Sequence, residues 1–251
     1  MSEDALLVYT LRLADTALIN GHRLSEWCGH APVLEEELAL ANLALDLIGQ
    51  ARSLYAYAGV IEGEGRGEDA FAYLRDVMQY RNLLIVERPN GDFATTILRQ
   101  FLLSAFMHPF WEAMTGSTDA TLSAIAAKAV KEAAYHLRHC REWTVRLGDG
   151  TAESHRRMEE ALAEEWPYTG ELFESDKVEH VLIASGIAVD PATLKGKFDA
   201  NVDPVLGEAR LARPHQGWMQ TGGRHGRHSE HLGHVLAELQ YLQRTYPGAT
   251  W

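Results

Sequence analysis

The stretch Leu34-Glu35-Glu36-Glu37-Leu38-Ala39-Leu40-Ala41-Asn42-Leu43-Ala44-Leu45-Asp46-Leu47-Ile48-Gly49-Gln50-Ala51-Arg52 decides the fold class. It carries two apolar stripes at helical spacing: Leu34, Leu38, Ala41, Leu45 and Ile48 on one side, Leu40, Leu43, Leu47, Ala51 and Leu54 on another. A helix apolar nearly all round is expected inside a bundle rather than on its surface. Pro32 lacks an N–H and suits the first turn, and Glu35, Glu36 and Glu37 suit the positive end of the helix dipole. Upstream, residues 5–26 line Leu7, Leu11, Ala14, Leu18 and Leu24 along one face, and Cys28-Gly29-His30-Ala31-Pro32 breaks the pattern. Downstream come a glycine-rich loop over 59–67, a shorter helix over about 69–82, and the turn cluster Glu87-Arg88-Pro89-Asn90-Gly91-Asp92.

Two further long helices are expected over about 93–114 and 120–147, separated by Gly116-Ser117-Thr118-Asp119. Two helical hairpins joined by a longer connection make a four-helix bundle with one crossover, the ferritin-like arrangement. The expected fold is therefore all-α: one ferritin-like domain over 1–251, with a core bundle at about 5–147. Additional C-terminal helices occupy about 151–246, at 156–165, 176–185, 191–199 and, capped by Ser229, through Tyr241, with 217–226 as loop.

Composition narrows the function classes. The 251 residues are 46% hydrophobic and 23% charged, the balance of a globular chain able to bury a large core. A formal net charge of −12 argues against a nucleic-acid-binding surface. Apolar runs are short and broken by charge, so no membrane partner is expected, and Met1-Ser2-Glu3-Asp4 lacks the basic start of a secretory signal. Two cysteines, Cys28 and Cys140, imply no disulfide framework and fit a cytoplasmic setting.

Bundles of this class often hold two irons, using one Glu on each of two helices and Glu-x-x-His on each of the others. Counting outward from a first turn near 30–31 places Asp15 and Asp46 level. Asp46 and Glu132 then stand where the Glu-x-x-His glutamates belong, but Gly49 and Tyr135 occupy the histidine positions. The third long helix has no acid between Asp92 and Glu112. These positions read as a degenerate metal site. The expectation is a metal-free polar network joining Asp15, Asp46, Glu132 and Tyr135 with Arg52, Lys128 or His22.

Several segments carry a resemblance that spans nearly the whole chain. They are Arg23-Leu24-Ser25-Glu26-Trp27-Cys28-Gly29-His30-Ala31-Pro32, Leu38-Ala39-Leu40-Ala41-Asn42, Leu45-Asp46-Leu47-Ile48-Gly49-Gln50-Ala51-Arg52 and Val86-Glu87-Arg88-Pro89-Asn90-Gly91-Asp92-Phe93. With them go Lys131-Glu132-Ala133-Ala134-Tyr135-His136-Leu137-Arg138, Gly186-Ile187-Ala188-Val189-Asp190-Pro191 and Glu230-His231-Leu232-Gly233. Together they resemble the C-subunit family of bacterial ring-1,2-phenylacetyl-CoA epoxidases, multicomponent monooxygenases of phenylacetate degradation.

The resemblance implies a non-catalytic, structural partner of a homologous catalytic subunit that carries the di-iron centre, with other complex subunits alongside. It places NADPH, FAD and an iron–sulfur centre in a reductase and implies no cofactor and no catalytic residue in this chain. It also implies that the chain borders phenylacetyl-CoA through Gln79-Tyr80-Arg81-Asn82 and His180-Val181-Leu182. There Arg81 would meet a CoA phosphate and Tyr80 would stack on adenine. Two rival readings are a catalytic di-iron oxygenase with altered ligands and a stand-alone ligand-binding bundle.

Five histidines fall between His215 and His234, with Arg210, Arg213, Arg224 and Arg227 near them. A three-residue step turns 300° each time, so His228, His231 and His234 do not share a helix face as zinc ligands would. A basic rim or a solvated loop is the expected role. Nucleotide-loop, Gly-x-Ser-x-Gly and Cys-x-x-Cys patterns are absent from the sequence.

Overall fold

The computed structural model describes residues 2–215 and 217–249. Met1, quoted for the acidic N-terminus, and Gln216 in the histidine-rich segment lie outside them. The architecture is all-α, with the two long helical hairpins of a ferritin-like bundle, and no strand occurs among the described residues. No helix among them is long and apolar enough to cross a membrane. The chain forms two compact units: the described residues of Met1–Pro89 with Gly222–Trp251, and those of Asn90–Thr221. The C-terminal helices expected over 151–246 divide between these two units. Those up to Thr221 belong with the second hairpin and the last belongs with the first.

In the first unit α1 (Ser2–Ser25) and α2 (Leu34–Glu62) form the hairpin, followed by α3 (Glu68–Tyr73). Short 3-10 turns follow at Val77–Gln79 and Leu84–Glu87, and α9 (Glu230–Thr245) closes the unit. Gly21 lets α1 and α2 approach closely, since a Cβ there would lie 3.0 Å from Ile48 Cγ1 and 3.2 Å from the Ala44 carbonyl. Asp46 is therefore level with Gly21 and His22. The expected Asp15–Asp46 level is off by roughly one and a half turns. The hairpin connection is lopsided: hydrogen-bonded turns at Glu26, Trp27, Cys28 and His30 prolong the first arm past the end of α1.

Three other expectations change here. Pro32 precedes α2 instead of opening it, because the first turn closes on the carbonyl of extended Val33. The helix expected over 69–82 ends at Tyr73, where the Arg75 guanidinium takes the Phe71 carbonyl and an Asp76–Gln79 capping box starts a new turn. Finally, α2 is apolar nearly all round without being enclosed. Leu40, Leu43, Leu47, Ala51 and Leu54 are buried, yet Leu34, Leu38 and Leu45 are 68%, 58% and 65% exposed.

The second unit holds the hairpin of α4 (Phe93–Met114) and α5 (Ala120–Gly148). The side chains of Asp92 and Asp119 cap their first turns. Beside them lie α6 (Ala152–Glu165), α7 (Lys177–Ala184) and α8 (Lys195–Glu208). Pro109, inside α4, denies a donor to the carbonyl of buried Ala105. Asn201 of α8 supplies one instead, its Nδ2 donating to Ala105 O at 3.1 Å. Asn201→Ala should lower stability by about 1 kcal/mol, read as a shifted urea midpoint with unchanged slope.

Candidate functional site

Polar side chains converge inside the first unit, in two linked clusters that clamp residues 75–87. The first is centred on Asp15 of α1, which is fully buried. Tyr55 of α2 donates to its Oδ1 at 2.6 Å, and Arg75 binds both carboxylate oxygens, through Nη2 to Oδ1 and through Nη1 to Oδ2 at 3.1 Å. The backbone N–H of Arg81 adds a fourth contact, 2.8 Å to Oδ2. Arg75 spends its remaining donors on the Phe71 carbonyl, the Gln79 carbonyl and the Tyr55 hydroxyl, so all five are engaged.

Electrostatics follow from this enclosure. Burial, reinforced by the Asp15 carboxylate, lifts the Tyr55 hydroxyl well above the ordinary tyrosine range. Burial opposes the charge of Arg75, but Asp15 outweighs it and the guanidinium holds its proton more tightly than usual. Burial also raises Tyr80, whose ring lies 4.3 Å beneath that guanidinium. The Tyr80 hydroxyl donates to the Ala72 carbonyl, and Gln240 of α9 donates to the Ala72 and Arg75 carbonyls.

The second cluster surrounds Glu87, also fully buried. Oε1 accepts from Asn82 Nδ2 at 3.0 Å and meets His228 Nδ1 at 2.5 Å; Oε2 accepts from the Ser229 N–H and hydroxyl at 2.8 and 2.7 Å. The other His228 nitrogen lies 3.0 Å from the Tyr80 carbonyl. Both ring nitrogens thus face oxygen atoms. Arg23 ties in α1, donating to the Glu87 carbonyl at 2.7 Å.

The sequence-derived positions fare unequally. Asp15 is buried and bonded, but its partners are Tyr55 and Arg75 and not the expected Arg52, Lys128 or His22. Arg52 pairs with Glu68 at the surface, and burial lowers the pKa of His22. Asp46 and Gly49 are half-buried on α2. In the second unit Glu132 is half-buried, 3.4 Å from exposed Lys128, and Tyr135 is exposed and stacked on His139. Asp15 thus takes part in a network with Tyr55, Arg75 and the Arg81 amide. No group of three or more His, Cys, Asp and Glu stands at metal-binding spacing among the described residues.

Of the positions expected to bind substrate, Tyr80, Asn82 and Leu182 are core residues. Tyr80 has no exposed ring face for adenine, and the Asn82 amide is spent on Glu87 and the Leu83 carbonyl. Gln79 is exposed, with its side chain capping Asp76. Arg81 is half-buried and gives Nη1 to the Met78 and Tyr80 carbonyls; burial lowers its pKa. No carboxylate among the described residues forms an ion pair with it. On α7, His180 and Val181 are exposed, with His180 Nε2 3.0 Å from Ser175 Oγ.

The sequence reading missed Arg75, Glu87, His228 and Gln240. His228 is neither a zinc ligand nor a rim residue but a buried partner of Glu87. Ser229 occupies the N-cap position of α9, yet its hydroxyl serves Glu87.

Glu87→Gln puts an NH2 against either the Ser229 donors or the Asn82 and His228 side. It should lower stability by about 2–3 kcal/mol and speed tryptic cleavage after Arg224 and Arg227, followed by mass spectrometry. A second expectation concerns alkaline pH. Tyr55 keeps its proton in the fold above pH 10.0, where an unfolded tyrosine loses it. Its contribution is therefore complete below pH 10 and declines above it. In denaturant melts Tyr55→Phe should show an alkaline decline shallower by about 1.4 kcal/mol per pH unit than the parent.

Comparison with known proteins places these clusters in context. The family model described as "Phenylacetic acid catabolic protein" matches residues 1–251. The chain is also 50% identical over 246 residues to the C-subunit of the 1,2-phenylacetyl-CoA epoxidase of Escherichia coli (strain K12). That match covers 98% of this chain and 99% of the relative.

Proposed function

The chain belongs to the phenylacetic acid catabolic protein family, and from that premise we propose that it is the non-catalytic subunit of a 1,2-phenylacetyl-CoA epoxidase. It would stabilise a homologous di-iron catalytic subunit and help border the acyl-CoA, in the cytoplasm. The iron pair, and the NADPH, FAD and iron–sulfur centre that deliver electrons, belong to other subunits in this reading.

The observation that carries the proposal is the donor set around Asp46 and Glu132. A di-iron site needs imidazole neighbours for such carboxylates, but Gly49 and Tyr135 stand at the histidine positions, and no group of three or more His, Cys, Asp and Glu stands at metal-binding spacing among the described residues. Asp15, off that level, gives both its oxygens to Tyr55, Arg75 and the Arg81 amide. The cluster instead orders the 75–87 segment, which displays Gln79 and Arg81. Arg81, without a carboxylate partner, suits a CoA phosphate, and exposed His180 and Val181 are the further candidates.

Metal analysis of the purified chain, alone and after co-expression with the catalytic subunit, tests this reading. Substoichiometric iron in this chain and stoichiometric co-purification are expected. Asp46→Asn and Glu132→Gln should leave epoxidation by the reconstituted complex within twofold of the parent. Two irons per chain, or loss of turnover in an intact Asp46→Asn complex, would overturn it.

A further inference from the structure

A hollow of about 280 Å³ opens in the second unit between α5 and α8, with His108 of α4 on its wall. Small-molecule sites usually hold about 300–1,000 Å³, so its volume limits a ligand to the small end of that class. The space comes from short side chains: Ala134 on α5 and Ala200 on α8 stand where longer residues would close the gap. Leu137, Pro204 and Val205 line the rest with hydrocarbon. The α8 wall is held at Asn201, whose Nδ2 donates to the Ala105 carbonyl.

The charge of this wall runs against that of the chain. Net charge is −12, yet no Asp or Glu lines the hollow, and its ionisable groups are His108, Arg138 and Arg141. Arg141 is already paired, its Nη2 donating to Glu208 Oε1 at 2.9 Å. Arg138 is not: it is exposed, leans on the Tyr135 ring 5.5 Å from the centroid, and forms no ion pair among the described residues. Half-buried His108 makes no hydrogen bond among them either. A free guanidinium fork is the side chain best shaped to take a carboxylate through two parallel hydrogen bonds.

We propose that this hollow binds a small organic monoanion, a carboxylic acid with a compact apolar body. Arg138 takes the carboxylate, and Leu137, Pro204 and Val205 cover the body. With Arg141 spent on Glu208, one guanidinium charge is left to balance one negative charge. An uncharged ligand leaves the Arg138 fork unanswered, and an inorganic anion leaves the hydrocarbon walls uncovered. An adjoining hollow past Arg141 is lined by Glu142, Arg146 and Glu208, charges of both signs, so the apolar body finds its walls only on the α8 side. Every residue of the site lies in the second unit and none belongs to the Asp15 or Glu87 clusters, so the proposal is independent of the epoxidase reading.

Titration of the full-length chain with benzoate, followed by ligand-observed NMR, tests the site. Saturable binding with a Kd on the order of 1 mM is expected for so small a ligand. Benzamide has the shape without the charge and inorganic phosphate has charge without the body; each should bind about tenfold more weakly or worse. Arg138→Gln should weaken benzoate by about tenfold, and Ala134→Leu, which fills the hollow, should abolish binding. Both residues are exposed, so the two variants should melt with the parent, which separates loss of the site from loss of the fold. Absence of saturation by roughly 30 mM benzoate would overturn the proposal. So would benzamide or phosphate binding as tightly as benzoate, or parental affinity in either variant.

Discussion

Asp15 and Arg75 are buried together, and removing either would strand a charge in the core of the first unit. Desolvating such a pair is costly, and breaking one by deleting a partner typically costs about 3–5 kcal/mol. The geometry meets this demand by satisfying every donor of Arg75 and both oxygens of Asp15. The result is a specified path for residues 75–82. Arg75 cannot reach Asp15 unless α3 ends at Tyr73, and the Arg81 amide cannot reach it unless the chain folds back over α1. A second anchor at Glu87 then fixes the segment's far end.

Much of the fold was legible because it is local. Helical periodicity and the Asp92 and Asp119 caps mark α4 and α5, whose starts and ends fall within a residue of those expected. What could not be read is long-range polar pairing. Arg75 lies 60 residues from Asp15 and His228 lies 141 from Glu87, and no spacing rule links residues so far apart. The hairpin level failed for a related reason. Counting from the midpoint of a turn assumes equal arms, and the hydrogen-bonded turns after Ser25 make them unequal. Buried acids were correctly expected to need partners at Asp15, but their identity came only from three dimensions. The segment expected to face substrate rested on resemblance alone, which could not separate exposed Gln79 and half-buried Arg81 from buried Tyr80 and Asn82.

The two apolar stripes of α2 and the filled coordination sphere of Asp15 suit a chain that works by being held against others. A rigid interior leaves the surface to specialise. In the proposed role, the buried charge of the first unit shapes the segment over 75–87.

The Glu87–His228 contact joins the chain just before it leaves the first unit to residues just after it returns. During synthesis on the ribosome, the early hairpin must therefore wait, with its acidic anchor unmatched, until the intervening 132 residues of Asn90–Thr221 have emerged. That middle portion is continuous and can settle first, whereas the amino-terminal segment up to Pro89 matures last despite being made first. Truncation late in translation, or a stalled ribosome near the end of the message, would leave a completed second unit tethered to an open, chaperone-dependent first one.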